Sequence, residues 1–313
     1  MKNIALIFVM MSLVLGVSSQ SDTTSSLTKN PTLYGHSFPS LIHFKSSFTK
    51  TNVYTGIGIG TTSLLNYNDV NVGDFTIDGF QGKILFVTAE IQYQQRVNSW
   101  LAMYLSFSLA GRLGSDMSTI LVHGINTLAG GDIGWMIKIR QSKKFNLSAS
   151  VNVRNFAGSF INVKQFFEDV INSVPNPGIV KNVPAMTGGL GLHGAFAFND
   201  MFGLQASAQM QYGESFTREM NQDYYNFGIV GDVDFMPRQN APVGLALGYT
   251  LTSSPQIVMT KDGYANIFMW KIAYTGSNDF ELGIQYTFYK IEIEEQENDP
   301  SVNSAMFLLK FYF

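Results

Sequence analysis

The chain contains no cysteine. That excludes disulfides, thiolate metal sites and cysteine nucleophiles. It also excludes the lipoprotein type of anchor, which is attached to a cysteine behind a signal peptide. Charge is scarce: Asp, Glu, Lys and Arg make up 14% of residues, against about 25% in ordinary soluble domains. The formal net charge of −3 leaves no basic surface for a nucleic-acid partner. Catalytic and cofactor signatures are missing too. His36, His43, His123 and His193 form no metal-spaced pair such as H-E-x-x-H, and there is no G-x-S-x-G elbow. The run Gly56-Ile57-Gly58-Ile59-Gly60 reads as a strand with no helix behind it, so it is no phosphate cradle. The expectation is no metal, no cofactor and no enzyme.

Beyond the first twenty residues there is no apolar run of about 18 residues, the length a spanning helix needs. The first twenty are themselves a targeting segment. Lys2 supplies the positive start, Ile4 to Val14 the apolar middle, and Val17-Ser18-Ser19 the small residues before a cleavage point at Gln20. Residues 1–19 are therefore expected to be a signal peptide. The remainder is a secreted chain without a membrane helix, in a sequence rich in Phe (25), Tyr (14) and Gly (29). That composition suits lipid contact through strands.

The pattern that organises the chain is period-2 alternation in segments of about ten residues. It recurs at 53–62, 84–94, 100–111, 132–140, 145–154 and 188–198, then at 202–212, 226–235, 243–252, 266–275, 280–289 and 304–313. One face of each is apolar: Ile57 and Ile59 in the first, Leu101 to Leu109 at odd positions in the third, Leu245, Leu247, Tyr249 and Leu251 in the ninth. No charge falls on any of these faces, and a Lys or Arg at a bilayer midplane costs roughly 2–4 kcal/mol in such proteins. The opposite faces carry Glu90, Arg112, Lys138, Arg154, Asp232, Lys271, Glu281 and Lys310. Connections alternate between short turns (97–99, 142–144, 199–200, 237–242, 276–279) and longer loops, the asymmetry of membrane barrels. No proline falls inside a proposed strand, as ladder pairing requires. The fold class is all-β: a closed antiparallel transmembrane barrel of about twelve strands, spanning 48–313.

The inward faces are small and polar, with Gly, Ser, Asn and Gln predominating, and His193 among them. This suggests a hydrated lumen, although glycine also eases strand twist. The mixed charges either pair across the wall or line a pathway; with no ring of one sign, only weak ion selectivity is expected. Two other segments bear on function. In the long loop 155–187, Phe160, Val163, Phe166, Phe167, Val170 and Ile171 recur at helical spacing ahead of Pro175, so the loop is expected to carry a helix that constricts or lids the mouth or lies against the outer leaflet. Residues 20–47 are a periplasmic tail or a plug. An acidic tip at Glu294, Glu295, Glu297 and Asp299 reads as a solvated turn.

The chain ends Phe307-Leu308-Leu309-Lys310-Phe311-Tyr312-Phe313. With the signal peptide and the strand pattern, this resembles the bacterial outer-membrane β-barrel proteins as a class, over about residues 50–313. The resemblance implies a Gram-negative outer-membrane location among lipids and lipopolysaccharide. It also implies recognition of Phe311 and Phe313 in the last strand by the barrel-assembly machinery. The functional expectation is a porin-like channel or gated transporter for small, partly hydrophobic molecules. The alternative is a structural or adhesive barrel with a closed lumen; a lipid-modifying enzyme is a distant third. N-terminal sequencing of the exported protein is expected to begin at Gln20, and a protein that keeps residues 1–19 would refute the targeting assignment.

Overall fold

The structure is a computed structural model that describes residues 30–313, except 64, 68–69, 73–74, 78–79, 114–123, 162–165, 167–168, 179, 215–220, 254–263 and 291–300. A small hairpin comes first, β1 (Thr32–Leu33) and β2 (His36–Ser37), turned by Tyr34 and Gly35, both at positive φ. After an extended run begins β3 (Asn52–Thr62). Two nested short pairs come next: β4 (Leu65–Tyr67) with β7 (Phe80–Gly82), and β5 (Val70–Val72) with β6 (Phe75–Ile77).

Then come β8 (Leu85–Arg96), β9 (Leu101–Leu113), β10 (Gly124–Gln141), β11 (Phe145–Ile161), β12 (Val180–Ala197) and β13 (Phe202–Gly213). The last five are β14 (Gln222–Asp234), β15 (Val243–Thr252), β16 (Ala265–Tyr274), β17 (Phe280–Lys290) and β18 (Ser301–Tyr312). Twelve of these strands close a barrel in the order β10 through β18, then β3, β8 and β9. Every neighbour is antiparallel, and the ring is sealed by β18 on β3, with Met306 opposite Gly58. Closure matters because an open sheet edge inside hydrocarbon would leave its N–H and C=O groups unpaired.

Side chains sort as the alternation requires. Along β16 burial runs strictly in and out, from Ala265 to Tyr274. Leu247 is 70% exposed, Leu190 64% and Ile57 61%. No residue of the expected lipid-facing sets is buried. Aromatic pairs line the outer wall near its ends, Tyr274 with Phe280 and Tyr249 with Phe268, as aromatic girdles do. Short turns and both described termini share one end of the barrel. There Tyr312 N–H donates to Asp279 O at 2.7 Å and Phe313 N–H to Thr51 O at 3.2 Å. Two neighbouring short turns are clasped by Arg238 and Asp200 at 2.7 Å. The hydrogen bond from that guanidinium holds the Asp200 carboxyl below its usual range.

Two sequence expectations need correction. The wall is taller on one side, because β10, β11 and β12 extend well beyond the segments at 132–140, 145–154 and 188–198. The loop between β11 and β12 therefore covers 162–179 rather than 155–187, and Phe160 lies in β11, opposite Lys181, not in a helix. Continued strand pairing between 155–161 and 180–187 outcompetes local helix periodicity. Pro184 also falls inside a strand. It sits where β12 has lost its β13 neighbour, whose pairing begins only at Thr187, and an edge tolerates the missing N–H. If the outer face lies in hydrocarbon, Leu247→Arg should cost roughly 2–4 kcal/mol, read as a lowered urea midpoint for folding in lipid vesicles. A change within about 0.5 kcal/mol, ordinary for a water-facing site, would refute that placement.

Candidate functional site

Residues 38–51 have no regular secondary structure, yet they run through the inside of the barrel. The run starts at the short-turn end, where Asn30 N–H donates to Asn278 O at 3.0 Å, and returns there at Thr51. An extended segment has no ladder of its own, so its backbone must find partners elsewhere. Here the inward side chains of the wall supply them. Ser40 N–H donates to the Glu281 carboxylate at 3.1 and 3.3 Å, and Ser40 O accepts from Lys271 Nζ at 2.6 Å. Ile42 N–H donates to Gln285 Oε1 at 2.9 Å. Ser47 O accepts from Asn146 Nδ2 at 2.7 Å and Ser148 Oγ at 2.6 Å. Gln94 Nε2 reaches Phe48 O at 2.7 Å and Lys50 O at 2.8 Å.

Apolar side chains of the same segment fill the inner contour. Leu41 packs with Val230, Ala246, Ile267 and Met269. Ile42 packs with Tyr54, Met306 and Leu308, and Phe38 with Phe48 and Leu33 against β12. Two wall glycines leave room for this fit. A Cβ at Gly203 would collide with the His36 imidazole, and one at Gly228 would stand 3.0 Å from the Phe44 ring.

The inward residues singled out from the sequence fall in different places. Asp232 is buried and bonds His36 Nε2, with Gln205 Nε2 on its other oxygen at 3.3 Å. Lys271 and Glu281 are buried against each other, and Tyr312 OH donates to Glu281 at 3.2 Å. These three therefore face the N-terminal segment or its anchor points. Glu90 and Arg154 line an internal cavity of about 190 Å³ beside that segment. Lys138 bonds Gln141 at 3.0 Å at the short-turn rim, away from the cavity. Arg112 lies near the other end of β9, opposite Phe86.

His193 is fully buried, its Nε2 2.8 Å from Ser150 Oγ. Among the described residues no acceptor orients its Nδ1, so there the pair lacks the third group that makes a serine nucleophile. Among the described residues no cluster of His, Cys, Asp and Glu could hold a metal.

Of the loop-helix candidates, Val163 and Phe167 lie outside the described residues. Phe166, Val170 and Ile171 are helical, but Val170 and Ile171 are 47% and 52% exposed and do not line the cavity. The acidic tip at 294–299 and residues 1–29 also lie outside. Phe311 and Phe313 are exposed on the outer face of β18 and at its end.

The cavity is lined by Lys45, Lys50, Lys310 and Arg154 against the carboxylates of Glu90 and Asp132, with Ser106, Gln92, Gln209 and Asn226 between them. Asp132 and Lys45 were not singled out from the sequence. Asp132 was signalled by parity alone, as the neighbour of outward Ile133. Lys45 sat in a segment whose location the sequence left open. Lys45 Nζ stands 3.0 Å from the Tyr104 ring centroid and 4.0 Å from Asp132 Oδ2. Arg154 Nη2 is 3.7 Å from the same oxygen.

No protein-family model matches the chain, and no curated protein matches it in sequence. Solved structures align with it. The translocator domain of the autotransporter NalP from Neisseria meningitidis aligns with a TM-score of 0.50 at 8% identity, over 86% of this chain and 90% of that one. The NanC porin gives 0.48 at 7%, over 82% and 100%. A Pseudomonas aeruginosa FadL homologue gives 0.44 at 10%, over 89% and 95%. At such identities the likeness concerns the fold: the chain is a closed antiparallel barrel of the outer-membrane type.

Removing one member of a buried ion pair strands the other's charge, at a cost of roughly 3–5 kcal/mol. Glu281→Ala should therefore lower stability by that order and expose residues 31–50 to added protease. Glu281→Gln, which keeps an acceptor for Ser40 N–H and for Lys271, should lose less than Glu281→Ala. Equal losses in the two would contradict the assignment.

Proposed function

We propose that the protein is an outer-membrane channel or transporter for small solutes, held closed at its periplasmic end by residues 30–51. The observation that carries this reading is the bonded passage of that segment through a lumen that still holds a polar cavity. A barrel whose interior were purely structural would gain most from filling it with apolar side chains, which pack without needing partners. Here the space beside the segment is lined mainly by hydroxyls, amides and charges, with Leu41, Phe44, Phe48 and Ile267 as its apolar part. At about 30 Å³ per water in the liquid, 190 Å³ holds on the order of six waters, the scale of one small solute. The short-turn end is taken as periplasmic by the usual barrel asymmetry.

The sequence suggested a partly hydrophobic solute because a loop helix was to line the vestibule. The polar lining of the cavity favours a polar solute instead. The closed-lumen scaffold keeps support from the number of bonds that fix the segment. Conductance in planar bilayers separates the two readings. The full chain is expected to be mostly silent, and removal of residues 31–50 should give reproducible open steps. A shortened variant that inserts and folds but stays silent would overturn the channel and favour the scaffold.

A further inference from the structure

We propose that the cavity beside the N-terminal segment is a binding site for a small hydroxylated anion, a sugar acid or sugar phosphate, seated between Lys45 and Arg154. This deepens the channel reading and rests on it. Two cations approach one carboxylate oxygen, Asp132 Oδ2, at 4.0 and 3.7 Å. Both distances exceed hydrogen-bond length. Asp132 spends its other oxygen on Asn152 Nδ2 at 2.8 Å. Lys45 Nζ makes no hydrogen bond among the described residues; its other close neighbour is the face of Tyr104. The ammonium and the guanidinium thus hold unspent donors beside a cavity where four cationic side chains meet two carboxylates.

An anion entering this site would make the charge-assisted contacts that Asp132 does not. Ser106, Gln92, Gln209 and Asn226 line the same cavity, offering donors and acceptors suited to sugar hydroxyls. Lys45 belongs to the segment that obstructs the lumen, and Arg154 to the wall. A bound anion would therefore contact both the obstruction and the wall.

The test is equilibrium binding to the refolded full chain in detergent, which does not depend on conductance. Glucuronate and glucose 6-phosphate are the anionic probes, and glucose is the neutral control. At least one anion should bind, the tighter of the two telling carboxylate from phosphate, and glucose should bind at least about tenfold more weakly. Lys45→Met and Arg154→Met should each weaken the anion about tenfold, with partial recovery in Arg154→Lys. Asp132→Asn removes the competing charge but keeps an acceptor for Asn152, so it should tighten binding; a merely structural role for Asp132 would weaken it. Equal binding of glucose, no binding of either anion, or weakened binding in Asp132→Asn would overturn the site. Open steps from the shortened variant together with no anion binding by the full chain would sink this inference alone. Anion binding with no conductance from the shortened variant would sink the channel and leave the site standing.

Discussion

A chain segment without a ladder, shut inside a barrel, must have its backbone N–H and C=O groups paired by something else. This constraint shapes the lumen. Each buried group left without a partner costs about 1–3 kcal/mol, and residues 38–51 carry one such pair at nearly every position. The wall answers with side chains that can turn toward a backbone: Gln285 for Ile42, Gln94 for Phe48 and Lys50, Asn146 and Ser148 for Ser47. Amides serve well because each offers both a donor and an acceptor. Gln285 uses both, accepting from Ile42 N–H at 2.9 Å and donating to Ile42 O at 3.5 Å.

The same constraint explains the lumen charges and some of its glycines. Glu281 is deeply buried, and a lone carboxylate there would be expensive. It is compensated by Lys271, two approaches from Ser40 N–H and the Tyr312 hydroxyl. The result is a junction that ties β16, β17 and β18 to the N-terminal segment. Asp232 does the same on β14, binding His36 of the hairpin. Gly203 and Gly228 leave the space that His36 and Phe44 occupy, so at these positions small residues serve close approach rather than water.

The barrel was legible because period-2 alternation is a local property: each strand announces its lipid face without reference to its neighbours. The outward sets from Ile57 to Phe311 came from parity alone. What the segment at 30–51 does was less legible, for a physical reason. Phe38, Leu41 and Ile42 signalled that something must cover them, but only the ring of strands decides whether that cover is the lumen wall. The contacts of Asp232, Lys271 and Glu281 with that segment span 196 to 241 residues, to His36 and Ser40, and no spacing rule reaches so far. The helix expected over 160–174 failed at Phe160 because strand pairing with β12 is a nonlocal reward that an i, i+3, i+4 pattern cannot see.

The strength of the contacts is unevenly distributed along the segment. Its first part is fixed by the buried His36–Asp232 hydrogen bond, by Lys271 and Glu281 on Ser40 and by the hairpin at the rim, and its last part by Gln94, Asn146, Ser148 and the strand after it. Between them, Lys45 is held by a ring face and by a carboxylate at 4.0 Å. Charges at that separation attract, but without the directional bond that makes a buried pair rigid. Around Lys45 the segment therefore meets the wall through packing, with Phe44 against Gly228 and the Leu41 cluster, rather than through a directional bond of the Lys45 side chain. The two ends are held by partners that belong to strands which the closed ladder fixes in place.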